Sequence, residues 1–286
     1  MQLTSVDRLE KNIDSIFLIL DSIAKLPPDQ KPQIIFFPEN TLFMRVKEGD
    51  TVRSFKLQEP VFDQLSDYCK KNNCAIHLTT AMRTGSLSMS HIAASDLSVT
   101  EKISNASVLI LPDGIKKIVY EKIHLFDIEL MGQKPIRESD VFIYGETPAV
   151  FEYAGFRFGS SICYDVRFSE LYRHYAKQEV DAILVPAAFL VKTGQAHWET
   201  LLRARAIESQ CYVLAPAQTG THISSSDRQG DGEVSRDTYG HSMAIDPWGE
   251  IVALKQDGVG FILCDLEKEK IAQVRRQIPM KNHRRL

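Results

Sequence analysis

The sequence predicts an α/β fold with mixed sheets, and three observations carry that expectation. Short apolar runs of strand length alternate with longer stretches whose apolar residues recur at helical spacing. Two pairs of strand-like runs flank the turn signals Pro112-Asp113-Gly114 and Asp246-Pro247-Trp248-Gly249, so hairpins interrupt the alternation. No composition break marks a linker within the 286 residues. Crossover helices combined with hairpins give layered α/β architecture rather than a purely parallel sheet.

Taken in order, the chain opens with Leu9, Ile13, Ile16, Phe17, Leu20, Ile23 and Ala24 at spacings of three and four, an amphipathic helix that ends before Pro27-Pro28. Gln33 to Phe37 is too short for a helix and reads as a buried strand, halted by Pro38. Pro60 to Lys71 is a second helix and Ala75 to Thr79 a strand. Ala106 to Leu111 and Ile115 to Ile123 form the first hairpin. Phe156 to Ile162 (strand), Ser169 to Lys177 (helix) and Ala182 to Pro186 (strand) follow. His197 to Gln210 is a helix with Trp198, Leu201, Leu202 and Ala206 on one face. Cys211 to Pro216 is a strand, and His241 to Ile245 and Ile251 to Leu254 form the second hairpin. A last strand, Gly260 to Asp265, precedes a last helix, Glu267 to Gln277. Between these, Gln218 to Asp237 is rich in Ser, Asp, Gly and Arg without periodicity. It reads as a mobile surface loop, either a tolerated insertion or a lid beside a cleft.

Composition narrows the function classes. A 44% hydrophobic and 25% charged chain is an ordinary globular one, and a net charge of −3 leaves no electrostatic footprint for nucleic acid or an anionic membrane. The five cysteines, Cys69, Cys74, Cys163, Cys211 and Cys264, are odd in number and scattered. They indicate neither a disulfide framework nor a zinc site, which favours a reducing compartment. The N-terminus lacks a signal-peptide pattern and no apolar run reaches membrane-spanning length, so the expected setting is cytoplasmic.

Four positions carry reactive or charged groups where apolar runs end or loops begin. Cys163 ends the run Phe156 to Ile162 and precedes a helix, the strand–turn–helix geometry that lifts a nucleophile towards a cleft. A helix N-terminus also favours a thiolate, yet a cysteine at a strand end is by itself usually a core residue. Glu39 follows Phe37-Pro38, Lys122 ends the strand-like Lys117 to Glu121, and Glu138 lies in the loop Gln133 to Asp140. Charges beside apolar runs are partly desolvated, which perturbs their proton affinity and is tolerated mainly where function requires it. Each could instead be a cap, a snorkelling lysine or an ordinary loop charge, and spacing alone does not bring them together.

What joins them is a resemblance. Phe-Pro-Glu-Asn (37–40), Glu-Lys-Ile-His-Leu-Phe-Asp (121–127), Arg-Glu-Ser (137–139) and Ile-Cys-Tyr-Asp-Val-Arg-Phe (162–168) occur in the order seen in the nitrilase superfamily of carbon–nitrogen hydrolases. Ala196-His197-Trp198-Glu199, Arg203 to Glu208, Gly240 to Gly249 and Arg275 to Pro279 extend the likeness over almost the whole chain, and within the superfamily it resembles the Nit branch. The resemblance implies one carbon–nitrogen hydrolase domain over 1–286, a four-layer αββα sandwich with mixed sheets, and pairing into a homodimer or larger homo-oligomer. It places the catalytic triad on Glu39, Lys122 and Cys163 and an accessory glutamate on Glu138. Relatives begin with a strand running into Gln-Met-Thr-Ser, so Met1-Gln2-Leu3-Thr4-Ser5 corresponds to the end of that edge strand, either shortened or beginning internally.

The implied chemistry is hydrolysis of a small carboxylate-bearing amide, best guess deaminated glutathione, to acid and ammonia through a thioester, with no metal and no cofactor. Glu39 serves as base, Lys122 and the backbone N–H of Tyr164 hold the oxyanion, and Glu138 keeps Lys122 charged and positions substrate or water. Arg167, four residues past the nucleophile, suits recognition of a substrate carboxylate, or else sits in a local ion pair on the helix surface. His197 and Trp198 pack a helix, and His124 and Asp127 support Lys122. The alternatives are an ω-amidase acting on α-ketoglutaramate, a nitrilase proper, and a catalytically silent dimeric binding module.

Overall fold

In the strands of this protein, alternate side chains enter different apolar layers, and that alternation sets the architecture. The computed structural model describes residues 1–83, 103–129, 135–224 and 234–285. The first half holds β1 (Gln2–Leu3), α1 (Leu9–Ala24), β2 (Ile34–Phe36), α2 (Pro60–Asn72), β3 (Ala75–Met82), β4 (Ile103–Ile110) and β5 (Lys116–Glu121). Three two-residue strands follow, β6 (Asp127–Ile128), β7 (Ile136–Arg137) and β8 (Phe142–Ile143). The second half holds β9 (Val150–Tyr153), β10 (Phe156–Ser160), α3 (Ser169–Lys177), β11 (Ala182–Leu184), α4 (Val191–Ser209) and β12 (Tyr212–Ala215). It ends with β13 (Ala217–Ile223), β14 (Ser235–Tyr239), β15 (Ser242–Ile245), β16 (Ile251–Lys255), α5 (Lys268–Gln277) and α6 (Met280–His283).

One sheet runs β2-β3-β4-β5 with β8 added to β4, and a second runs β16-β15-β12-β11-β10-β9. Both are mixed: β10, β11 and β12 are parallel, whereas β9, β15 and β16 join antiparallel. In β11 and β12, Ala182, Leu184, Tyr212 and Leu214 share one apolar layer with Ala75 and Leu109 of the first sheet. Ile183, Val213 and Ala215 point the other way, into a layer with Leu171 and Tyr175 of α3 and Trp198 and Leu202 of α4. On the first sheet Ile76, Leu78 and Val108 face Ile16 and Leu20 of α1 and Phe62 and Leu65 of α2. The result is helix, sheet, sheet, helix, the αββα order expected. Phe36 and Phe158 meet at 5.8 Å between the sheets.

Three expectations are corrected and one unassigned strand is added. The helix expected from His197 begins at Val191, because its first turns carry Gly194 and polar residues with no apolar period. Gly260 to Asp265 is not a strand: only Gly260 bridges to Gln2, and the run is apolar because Phe261 and Cys264 pack as side chains against the layers. Val150 to Tyr153, unassigned from sequence, is an edge strand antiparallel to β10. The segment Gln218 to Asp237 is no structureless loop where described, since Thr219 to Ile223 pair in register with Ser235 to Tyr239. Its strand pattern is hidden because its buried side chains are polar; the His222 ring bonds Ser5 O at 2.6 Å and Thr238 Oγ1 at 2.7 Å. The tip at 225–233 lies outside the described residues. At the chain start, β1 pairs in parallel with β13, Gln2 opposite Ala217. No helix among the described residues is long and apolar enough to cross a membrane.

Candidate active site

The nucleophile position is built by a backbone turn. Strand β10 ends at Ser160, and a 3-10 turn spans Cys163–Arg167 before α3. Cys163 takes φ +49°, in the left-handed region that a residue with a Cβ adopts rarely and usually under constraint. Two bonds supply that constraint: Cys163 N–H donates to Pro186 O at 2.9 Å, and Ile162 N–H donates to the Asp165 carboxylate at 2.8 Å. The N–H of Tyr164, in the first turn, has no intrahelical acceptor and is free to serve an anion.

Glu39 lies just past β2, beyond Phe37 and Pro38, and is 2% exposed. One of its oxygens accepts from Lys122 Nζ at 3.0 Å and Asn105 Nδ2 at 2.8 Å; the other accepts from Ala188 N at 2.9 Å. Lys122, 1% exposed, follows the last residue of β5, where its N–H is tied to Asn105 O. Its ammonium also meets Glu138 at 2.8 Å. Glu138 opens a short 3-10 turn after β7, and its other contact is the Phe126 N–H at 2.7 Å.

These partners set the proton inventory. Burial pushes the Glu39 carboxyl up, but Lys122 and hydrogen bonds from Lys122, Cys163 and Asn105 outweigh it and hold the group below the usual range. Burial opposes the Lys122 charge, yet Glu138, Glu39 and Cys163 raise it well above an ordinary lysine. The Cys163 thiol is raised well above its ordinary value by burial, then by the Glu39 charge, with Lys122 opposing. Glu138 is raised by burial, with Lys122 opposing and Glu39 reinforcing. At neutral pH the site therefore rests with a protonated thiol, an ionised Glu39 carboxylate and a charged ammonium lining one cleft.

Glu39, Lys122, Glu138, Cys163, Tyr164 and Arg167 all line one cleft, so the structure brings together every site residue proposed from sequence. Arg167 makes no carboxylate pair among the described residues. Its guanidinium bonds His197 Nδ1 at 3.2 Å and stacks over the Phe189 and Tyr164 rings at 5.2 and 5.7 Å. Trp198 is buried and packs on Phe189, as expected of a core residue. His124 supports the site through Asp165, whereas Asp127 bonds Ser139 beside Glu138.

Sequence reasoning missed the residues that hold this set in place. Asn105 was detectable as an amide inside the otherwise apolar or small run Ile103–Ile110. Gln218, fully buried, donates to Glu39 O at 2.8 Å and had been assigned to the polar loop. Asp165, fully buried, accepts from Ile162 N, Tyr120 Oη and His124 N and contacts His124 Nδ1, tying the Cys163 turn to the Lys122 segment. Among the described residues no group of three or more His, Cys, Asp or Glu could hold a metal ion.

The carbon-nitrogen hydrolase family model matches residues 1–276. The deaminated glutathione amidase of Synechocystis is 43% identical over 185 residues, 64% of this chain and 64% of that protein, so the match spans just under two thirds of that relative. The deaminated glutathione amidase of Mus musculus is 37% identical over 288 residues, covering 99% of this chain and 81% of that protein. Among solved structures, the NitFhit protein of Caenorhabditis elegans has a TM-score of 0.76 at 32% identity, covering 99% of this chain and 63% of that one. XC1258 of Xanthomonas campestris, described as a CN-hydrolase superfamily protein with an arsenic adduct in the active site, shares the fold with a TM-score of 0.78 at 21% identity, over 100% of this chain and 95% of that one.

Proposed function

The chain belongs to the carbon–nitrogen hydrolase family, and from that premise we propose that it is a cysteine-dependent amidase cleaving a carboxylate-bearing linear amide through a thioester. The observation that carries this reading is the meeting of the Cys163 thiol, the Glu39 carboxylate and the Lys122 ammonium in one cleft, under a strained backbone turn. Glu39 takes the thiol proton as sulfur bonds the amide carbon, and the carbonyl oxygen becomes an oxyanion held by Lys122 Nζ–H and the Tyr164 N–H. Collapse expels the amine, which receives the proton from Glu39. A water then gives its proton to Glu39 and attacks the thioester. The thiolate leaves as the acid forms and recovers that proton. Glu138 holds Lys122 charged throughout.

Deaminated glutathione is the substrate we favour, supported by the naming of relatives that cover nearly the whole chain. Its scissile amide joins an oxo-acid to the amine of a cysteinylglycine, so the product beside the acid is that dipeptide, which corrects the ammonia expected from sequence; a primary amide such as α-ketoglutaramate gives ammonia. Assays must therefore follow the acid as well as ammonia. The test is hydrolysis of both amides and of an organic nitrile, with intact-mass analysis after a rapid acid quench. An acyl adduct on Cys163 in the wild type and no turnover by Cys163→Ala are expected. Turnover by Cys163→Ala, or an adduct on another cysteine, overturns the assignment.

The same proposal includes a reducing, cytoplasmic setting, supported by five unpaired cysteines. It also includes a homodimer. Ile207 on α4 and Trp248 are each 48% exposed and neighbour each other through Gly249, an apolar patch suited to a second copy. Sedimentation as a monomer at assay concentrations removes that part.

A further inference from the structure

Resting on that amidase reading, we propose that Arg236 is a specificity-determining residue that binds an anionic group on the leaving amine, so the cleft selects amides negatively charged on both sides of the scissile bond. The argument starts from the charges facing the cleft. Glu39 and Glu138 both pair with Lys122, and Arg45 is paired with Glu48 at 2.5 Å. Two guanidiniums remain without a carboxylate among the described residues, those of Arg167 and Arg236, and both line the cleft.

They belong to separate elements. Arg167 is on the turn that carries Cys163, whereas Arg236 stands on β14, opposite His222 in the β13–β14 ribbon. That ribbon is seated on the cleft wall: Thr238 bridges Leu190, and Tyr239 N–H donates to Phe189 O at 2.9 Å. Arg236 is two residues from Thr238, so it lies about 6.6 Å along the strand from the bridge, towards the tip of the ribbon. A single carboxylate seated on Arg167 leaves the Arg236 guanidinium without an anionic partner among the described residues beside the cleft. A second anion on the departing fragment supplies that local partner, and a guanidinium fork is well shaped to take it.

Deaminated glutathione and α-ketoglutaramate make the discriminating pair, because both yield the same oxo-dicarboxylate and differ only in what leaves. Deaminated glutathione loses a carboxylate-bearing dipeptide, and α-ketoglutaramate loses ammonia. In Arg236→Gln, KM for deaminated glutathione is expected to rise about 10- to 100-fold with kcat little changed, while kcat/KM for α-ketoglutaramate stays within about twofold of wild type. Calorimetric titration of Cys163→Ala and of the double variant Cys163→Ala/Arg236→Gln with each amide reads the same difference without turnover. Equal losses for both amides, no loss for either, or no binding of the dianionic amide by Cys163→Ala overturns the role of Arg236. A wild type that binds the dianion in an Arg236-dependent way yet hydrolyses neither amide overturns the amidase reading instead.

Discussion

The sharpest test of how the site is held is Asp165→Asn, a change of one atom at a side chain that touches no substrate. Each Asp165 oxygen serves two partners: Oδ2 accepts from Tyr120 Oη and Ile162 N, both at 2.8 Å, and Oδ1 accepts from His124 N at 2.9 Å and meets His124 Nδ1 at 2.7 Å. An asparagine must turn its NH2 towards one of these pairs. The tyrosine hydroxyl and the imidazole can reverse their roles, but the N–H of Ile162 or of His124 cannot, and it would face a donor beside a fully buried side chain. Losing charge-assisted bonds costs about 1.5–3 kcal/mol each, and the stranded donor adds about 1–3 kcal/mol, so a loss of about 3–5 kcal/mol in urea unfolding is expected. The two segments freed are those bearing Cys163 and Lys122, and displacements near 1 Å cost on the order of a hundredfold in rate. Turnover of the amide should therefore fall about 10- to 100-fold in kcat with KM nearly constant. An unchanged urea midpoint together with kcat within about twofold of wild type would refute the bridging role.

Lys122→Met leaves the buried Glu39 and half-buried Glu138 carboxylates without their ammonium, and should cost about 3–5 kcal/mol in chemical unfolding and at least about a thousandfold in kcat/KM. Gly145→Ala is expected to lower kcat while leaving the protein folded by circular dichroism. Its new Cβ would sit 2.3 Å from Glu121 O, and Gly145 N–H donates to Lys122 O, so the segment carrying the lysine must move. His77 has both ring nitrogens buried without hydrogen-bond partners among the described residues, between Phe36 and Phe151, and burial lowers its pKa to about 3. Because the folded value is depressed, the unfolded chain binds the extra proton first, and stability present above about pH 6.5 is lost as pH falls towards 3. His77→Leu should thus raise stability by about 1 kcal/mol at neutral pH and flatten the acid side of the stability profile measured by urea titration.

The layers were legible because the period-two and period-3.6 patterns that burial demands are local properties. Ile183 alternating with Ala182 and Leu184, or Ile16 and Leu20 one turn apart, declare their faces without reference to any other segment. Glu39, Lys122 and Cys163 stood out locally as charged or reactive groups where runs of strand length end, but what joined them was the family resemblance, because their spacing alone does not. What the sequence did not disclose is where meaning depends on a distant partner. Asn105 meets Glu39 across 66 positions, and Gln218 reaches the backbone of Glu39 across 179. The opening of α4 shows the same limit in steric form. Gly194 looks like a helix breaker, yet a Cβ there would lie 2.3 Å from the ring of Tyr239, so its absence is what allows β14 to pack on the helix.

The distribution of charge explains why such a site is worth burying. At rest the negative charge nearest the nucleophile lies on Glu39, against the Lys122 ammonium at 3.0 Å, while the thiol keeps its proton. In the proposed attack the proton passes from sulfur to Glu39 and the charge reappears on the carbonyl oxygen, beside the same ammonium. Net charge in the cleft is unchanged, and Lys122 is neutralised by one partner before the step and by another after it. Donors already in place need no reorganisation as charge moves, and in a low-dielectric pocket that constancy is worth far more than in water. Glu138 follows from this logic: a second carboxylate fixed at 2.8 Å keeps Lys122 charged during the interval in which Glu39 is neutral. Glu138→Gln should accordingly slow turnover without altering which cysteine is acylated, as read by the mass of the trapped intermediate.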